Sequence, residues 1–412
     1  MTVEQEFDIN RDSLDHCVKC TICESACPVA AVTPLFPGPK YVGPQAERFR
    51  DAGPSVDGSL DYCSSCGICT LACPQGVHVA EINSRARAVM KAQKGMPLRD
   101  QILSRPELQG ILGTPVAPLA NFALSNKLGR LLAEKVVGIH RNAPTPMFAG
   151  HTFNRWARRH TSAAGSASAA ATKQVVYFHG CSTNYFEPKL GEMTVAVLEH
   201  NGFRVIVPPQ GCCGLPLQSN GIFEAGRGYI RRLVAHLVPY ARKGDVIVAT
   251  STSCGLMLKR EAIEILGVQD EDLRVVSTQT YDICEFLADL HACGELKTDF
   301  RPVPITVTYH APCQQQGHNM GKPALDLMAL VPELKVIELD QPCCGIAGTY
   351  GLKREKYDVA MRVGSGLFGD IRDARPDLAV CDSETCRWQI THGSGHTSVH
   401  PMEVLYRAYG LG

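Results

Sequence analysis

The sequence predicts a multidomain chain in which a helical, cysteine-rich head precedes an α/β region built from two similar units. Three observations carry that expectation. Eight of the 19 cysteines fall in two tight runs within residues 1–100, none falls in 101–160, and eleven lie beyond residue 172. The uncharged small-residue stretch TSAAGSASAAAT at 161–172 reads as a linker. Beyond it, short β-branched runs alternate with helical stretches, and this pattern occurs twice. The expected limits are 1–100 for the head, 101–160 for a helical connector, 161–172 for the linker, and 173–298 and 303–412 for the two units.

Composition narrows the function. With 412 residues, 45% hydrophobic and 20% charged, the chain has the make-up of a globular protein, which excludes wholesale disorder. Lys+Arg and Asp+Glu balance at 41 each, so no basic excess marks it for a nucleic-acid partner. The N-terminus MTVEQEFDIN has neither a basic n-region nor an apolar h-region, so no signal peptide is expected. No apolar run of about 18 residues occurs, and no spanning helix is expected. An odd number of cysteines in so long a chain fits a reducing cytoplasm and metal ligation better than a disulfide framework.

The head repeats one motif. Cys17-x2-Cys20-x2-Cys23-x3-Cys27-Pro28 is followed by Cys63-x2-Cys66-x2-Cys69-x3-Cys73-Pro74. Soft thiolates suit iron–sulfur clusters, and three cysteines at x2 spacing wrap three irons of one cluster. In two-cluster ferredoxins the cysteine before proline ligates the other cluster. One 4Fe–4S cluster is therefore expected on Cys17, Cys20, Cys23 and Cys73, and a second on Cys63, Cys66, Cys69 and Cys27. Zinc would explain four thiolates per site but neither the third x2 cysteine nor the Cys-Pro ending. Thr21 and Gly67 sit where backbone N–H groups turn toward cluster sulfur. The 35 residues between Cys27 and Cys63 exceed a compact ferredoxin loop and point to a helical ferredoxin embedded in a larger protein. His16 and His78 flank the runs as surface or packing residues.

In the connector, Leu128, Leu131, Leu132, Val136 and Ile139 recur at helical spacing opposite Lys127, Arg130, Glu134 and Lys135. From Lys127 to His160 seven Lys/Arg face a single Glu, with Phe148, Phe153 and Trp156 among them. Such a segment either lies in a membrane interface or packs its stripe on the neighbouring domains.

Candidate strands beyond the linker are Gln174–His179, Arg204–Val207, Asp245–Thr250, Leu273–Ser277, Ile305–His310, Lys335–Leu339 and Leu378–Cys381. Lys189–Asn201 and Phe223–Lys243 read as helices, the first closed by Asn201-Gly202. The duplication shows in the cysteines. His179-Gly-Cys181 echoes His310-Ala-Pro-Cys313, Gly211-Cys212-Cys213-Gly214 echoes Pro342-Cys343-Cys344-Gly345, and Ser251-x2-Cys254 echoes Ser383-x2-Cys386. Adjacent cysteines resist a mutual disulfide, but at a strand-to-helix turn both thiolates can face one site, with Gly214 or Gly345 giving the backbone room. Cys181, Cys212, Cys213 and Cys254 should gather at the carboxyl edge of one sheet, and Cys313, Cys343, Cys344 and Cys386 at the other. His179 and His310 are candidates for a ligand or proton donor, or core histidines bonded to backbone. Cys284 and Cys293 match no motif position. No Gly-x-Gly-x-x-Gly follows a strand, so neither flavin nor NAD is expected on this chain.

With these motifs in place, the chain resembles the iron–sulfur subunits that include heterodisulfide reductase, glycolate oxidase and lactate-utilisation subunits. YHAPCQQQGHNMGKPAL (309–325), CCGIAGTYGLKREKYDVAM (343–361) and CDSETCRWQI (381–390) are similar, more specifically, to the C-subunit family of anaerobic glycerol-3-phosphate dehydrogenases. That resemblance implies an electron-transfer subunit without substrate chemistry of its own. Flavin-containing partner subunits would oxidise glycerol 3-phosphate to dihydroxyacetone phosphate. This chain would carry the electrons to the membrane quinone and help hold the complex, peripherally, on the cytoplasmic face. The alternative is the iron–sulfur subunit of a glycolate or lactate oxidase or of a heterodisulfide reductase-like enzyme. One departure stands out: the family's full unit ends in Cys-x2-Cys, where this chain has Ser251 and Ser383. Cys381 is the candidate substitute in the second unit. Each unit is left with an iron–sulfur cluster, a zinc ion or neither as its expected content.

Overall fold

Eight short strands, all paired in parallel, form two four-stranded sheets of the same topology. The computed structural model describes residues 9–50, 58–163 and 173–412. The first sheet runs β2-β1-β3-β4, with β1 Lys173–Phe178, β2 Phe203–Ile206, β3 Val246–Ala249 and β4 Thr280–Asp282. The second runs β6-β5-β7-β8, with β5 Thr306–Tyr309, β6 Lys335–Glu338, β7 Leu378–Val380 and β8 Ser398–Val399. Both faces of each sheet are covered, as parallel sheets require, and successive residues divide between the faces. Val175 and Tyr177 join Val307 and Tyr309 in one core shared by the two units. Val176 and Phe178 point the other way, into a core capped by the helix Phe223–Ala241.

One expected strand is corrected. Leu273–Ser277 lies inside the helix Glu271–Thr278, and the fourth strand is the three-residue β4 that follows. Its β-branched residues invite a strand assignment, but Leu273 and Val276 sit three apart and bury one helical stripe. Glu271 and Asp272 occupy the first turn, where the helix dipole favours acids. The helices expected at 189–201 and 223–243 appear as Pro188–His200 and Phe223–Ala241, the former closed by left-handed Gly202.

The head has no strand among its described residues. Cys23 and Cys69 ride on the one-turn helices Ile22–Ser25 and Ile68–Leu71, each entered through a left-handed residue, Thr21 or Gly67, and the other head cysteines lie in the segments flanking them. Buried ion pairs fasten the head to the second unit. Lys356 reaches Asp61 at 2.7 Å, Lys353 reaches Asp100 at 3.0 Å, and Lys91 bridges both aspartates at 2.9 and 3.4 Å. Toward the first unit, Arg87 instead donates to the Ser219 carbonyl at 2.8 Å.

The connector straps both units. Ile139 bridges to Lys353, His140 stacks on Tyr357 at 3.8 Å, and the helix Phe153–Ala163 packs on the first unit. The stripe does not bury itself, because Leu128, Leu132 and Val136 are 63–74% exposed. The aromatic residues among its basic residues, Phe148, Phe153 and Trp156, are not exposed. Phe153 is fully buried against Tyr177 and His179, Trp156 stacks on it, and Phe148 packs on Phe186. Thr161–Ala163 continue the Phe153 helix, while the rest of the expected linker, 164–172, lies outside the described residues.

Candidate metal centres

The two head runs interleave. Cys17, Cys20, Cys23 and Cys73 line one small cavity, the first set expected from the spacing. Cys20 is exposed there and Cys23 is buried. Burial raises the Cys23 thiol, and the charges of Glu24, Cys73 and Cys17 raise it further. Cys27, Cys63, Cys66 and Cys69 form the other set. Burial first, then the charges of Cys66, Cys63 and Cys27, hold the Cys69 thiol well above its ordinary range. Backbone N–H groups already aim at sulfur: Ala30 at Cys27 (3.5 Å) and Val77 at Cys73 (3.4 Å). His16 is exposed, and His78 is bonded to Asn10 Oδ1 at 2.8 Å.

In the first unit the four expected cysteines meet at the carboxyl ends of β1, β2 and β3. Cys181 Sγ lies 3.8 Å from Cys212 Sγ, and Cys213 Sγ 3.3 Å from Cys254 Sγ. The 3.8 Å separation equals the edge of a tetrahedral thiolate site, about 3.8 Å for metal–sulfur bonds of about 2.3 Å. Hydrogen bonds donated by Cys181 and Cys213 hold the Cys212 thiol well below its ordinary range. The second unit repeats the arrangement. Cys313 and Cys344 donate to Cys343, lowering its thiol likewise. Cys386 accepts from Cys344 and from Cys381, so five thiols assemble here against four in the first unit. Gly214 and Gly345 N–H groups point at Cys212 and Cys343 sulfur at 3.5 and 3.2 Å. Within each cluster the accepting thiols Cys212, Cys343 and Cys386 are held toward thiolate while the donors Cys181, Cys213, Cys313 and Cys344 are raised, and such clustered thiols are ligands that either zinc or an iron–sulfur group accepts.

The cysteine sites of both units open on one cavity of about 160 Å³ between them and the head, which one head cysteine also lines. Cys66 is the head's contribution. Burial, and next the charge of Cys343, push its thiol up to about 12, and Cys313 in turn feels Cys66.

Comparison with known proteins identifies this architecture. Residues 13–77 match the model of a 4Fe-4S dicluster domain, and 175–259 and 307–391 each match that of a cysteine-rich domain. The C-subunit of the anaerobic glycerol-3-phosphate dehydrogenase of Escherichia coli K12 is 37% identical over 405 residues, 97% of this chain and 100% of that protein. The chain belongs to this C-subunit family of anaerobic glycerol-3-phosphate dehydrogenases. More distant relatives of this C-subunit chain include the D-subunit of the dihydromethanophenazine:CoB–CoM heterodisulfide reductase of Methanosarcina barkeri (26% identical, 53% of this chain and 54% of that one). Lactate utilization protein A of an Exiguobacterium strain is also 26% identical, over 57% of this chain and 95% of its own length. The dicluster match implies a pair of 4Fe–4S clusters in the head of this C-subunit chain.

Several features of this C-subunit site escape sequence reading. Ser251 caps the helix Thr252–Leu256, accepting from the Cys254 N–H at 3.3 Å and donating to Glu384 of the other unit at 3.2 Å. Ser383 bonds Cys386 instead. Glu107, from the connector, accepts from the Cys212 backbone N–H, and its Oε1 lies 2.7 Å from where a Gly211 side chain would begin. Glu261 lines the cavity with an enclosed, unpartnered Oε2. No motif announces these acids: Glu107 arrives from the connector, far from Cys212 in sequence, and Glu384 meets Ser251 across the two units. The two histidines also differ. His179 is satisfied by Asn154 Oδ1 (2.9 Å) and the Gly180 carbonyl (2.7 Å), whereas neither ring nitrogen of His310 has a partner. Nor are they equivalent, since His179 stands two residues before Cys181 and His310 three before Cys313. Cys284 is a buried core thiol and Cys293 is exposed.

Proposed function

We propose that this chain is the iron–sulfur electron-transfer subunit of an anaerobic glycerol-3-phosphate dehydrogenase, passing electrons from flavin-containing partner subunits to membrane quinone. Family membership supports the complex, and the approach of Cys66 to Cys313 and Cys343 across the shared cavity supports the route. The proposed ligands are Cys17, Cys20, Cys23 and Cys73 for one 4Fe–4S cluster, and Cys63, Cys66, Cys69 and Cys27 for the other. Each Cys-Cys-Gly unit takes a further cluster or a zinc ion on its own cysteines, with Cys381 included in the second. When bound, the iron–sulfur clusters would supply single-electron transfer, whereas zinc in a Cys-Cys-Gly unit would hold structure only. The chain's own residues fix their order and exclude water. The flavoprotein docks where the exposed Cys20 is flanked by exposed Val18, Ile22 and Leu71. Cys66, a ligand proposed for the second head cluster, faces Cys313 and Cys343, so an iron–sulfur group held in the second unit would stand next in line for electrons.

The exposed Leu119, Phe122, Leu128, Leu132 and Val136, beside Lys127 and Lys135, support peripheral attachment at the cytoplasmic face of the membrane. No described helix is long and apolar enough to cross one. The domain limits 1–100, 101–160, 161–172, 173–298 and 303–412 belong to the same proposal.

Assayed with the flavoprotein partners, Cys20→Ala and Cys66→Ala should each lower glycerol-3-phosphate-dependent quinone reduction about 100-fold, while substrate still reduces the flavin. Unchanged quinone reduction, or a chain without iron after anaerobic purification, overturns the reading.

A further inference from the structure

The two units share a topology but not the floor beneath their cysteines. In the first, Phe178 and Ala249 oppose each other across β1 and β3 and pack with Cys213 and Cys254. In the second, Tyr309 opposes Val380, and the His310 N–H donates to the Val380 carbonyl at 3.0 Å. His310 and Cys381 therefore occupy the places of Phe178 and Ala249. A hydrocarbon floor in one unit is an imidazole and a thiol in the other, with Cys381 packed among Cys344 and Cys386.

His310 is 2% exposed, and both ring nitrogens lack a hydrogen-bond partner. A neutral imidazole carries an N–H and a lone pair, and burying either unpartnered costs about 1–3 kcal/mol. Other buried histidines keep at least one bond, although His318 Nδ1 too has no partner. His400 Nε2 meets the Thr250 carbonyl at 3.0 Å and His318 Nε2 the Thr252 carbonyl at 2.7 Å. The thiol groups whose charge reaches His310 are Cys386 and Cys343, both second-unit cysteines. An uncommitted nitrogen buried beside metal-ligand cysteines has one chemical use that its surroundings supply.

We propose that His310 is a ring-nitrogen ligand of the metal group in the second unit, where Ser383 supplies no thiolate. This rests on the reading that the second unit holds such a group. The first unit, with carbon at the equivalent position, binds through sulfur alone. Exchange of a thiolate for a neutral imidazole removes negative charge and raises the potential of an iron–sulfur group.

The test uses the full-length chain, purified anaerobically with 15N-labelled histidine. Iron and zinc are counted in the wild type and in Cys343→Ser/Cys386→Ser, the difference being the metal of the second unit. The coordination of that metal is then read by pulsed EPR hyperfine spectroscopy for iron, or by zinc-edge X-ray absorption for zinc. One directly bound histidine nitrogen is expected, lost in His310→Phe, replaced by sulfur in His310→Cys and retained in His179→Gln. The reduced signals of the head clusters show that each variant folds. A filled second unit with sulfur-only coordination in the wild type overturns this proposal and leaves the electron-transfer reading standing. A second unit without metal overturns both.

Discussion

The second unit meets the head through charge of opposite sign, with Lys356 buried on Asp61 and Lys353 on Asp100, whereas the first unit brings Glu261 up to Glu81. The cysteine sites differ in parallel: five thiols and a buried imidazole stand in the second unit, four thiols over a hydrocarbon floor in the first. Duplication has supplied two similar scaffolds, and the seam distinguishes them by which one is clasped to the head through ion pairs. An ion pair between buried groups fixes geometry strongly, because separating the partners strands a charge in a poorly solvated place. Two facing acids do the reverse: burial and the Glu81 charge push the Glu261 carboxyl up to about 8.

That contrast can be broken at several points. The largest effect is expected at the cysteines. Cys343→Ser should lower quinone reduction by the assembled complex about 100-fold, and Cys212→Ser about 10-fold or less. Equal losses would mean that both units lie on the electron path. Next come the turn glycines. A side chain at Gly345 would begin 2.0 Å from the Ala360 carbonyl oxygen, against 3.1 Å from that of Gly226 for Gly214, and both backbones are left-handed. Gly345→Ala should cost about 4 kcal/mol or more and Gly214→Ala about 1–2 kcal/mol, as read by urea unfolding. Asp61→Asn, which leaves Lys356 without its carboxylate, should cost about 3 kcal/mol on the same assay. A loss below about 1 kcal/mol would show that the seam is held by its apolar contacts.

The smallest effect sharpens the contrast through pH. Between the unfolded value near 4.5 and the folded value of about 8, the native state holds a proton on Glu261 that the unfolded chain releases. The destabilising contribution of Glu261 therefore grows as pH rises through that window and is absent below it. Glu261→Gln should raise the melting temperature by about 1–2 °C at pH 8 and leave it unchanged at pH 4. A gain of equal size at both pH values would contradict a buried carboxyl at this seam.

Much of this was legible from spacing. The two head sets follow from Cys-x2-Cys-x2-Cys-x3-Cys-Pro because such short spacings, turned through left-handed Thr21 and Gly67, leave little freedom in where those thiols go. The repeated Cys-Cys-Gly motif placed eight more cysteines at the carboxyl ends of strands. What the sequence hid depends on faces and distances. The Leu273–Ser277 segment reads as β-branched until its stripe at three-residue spacing is placed on a core. The exposure of Leu128 and Val136 depends on what the connector packs against, since amphipathic periodicity specifies a face and not its partner. The unlike roles of His179 and His310 turn on a one-residue offset from the following cysteine, which in a strand reverses the face a side chain takes.

The chain separation across the seam bears on biosynthesis. Lys356 bonds the Asp61 carbonyl 295 residues away, and Arg99 grips Glu355 across 256. The head leaves the ribosome first, yet its clasp is made from nearly the last unit translated. During that interval its thiols face open solvent, within reach of whatever delivers iron and sulfide. Folding of the second unit then brings Cys313 and Cys343 to the cavity that Cys66 lines. A chain ending before residue 353 would carry a complete first unit with no lysine clasp on its head.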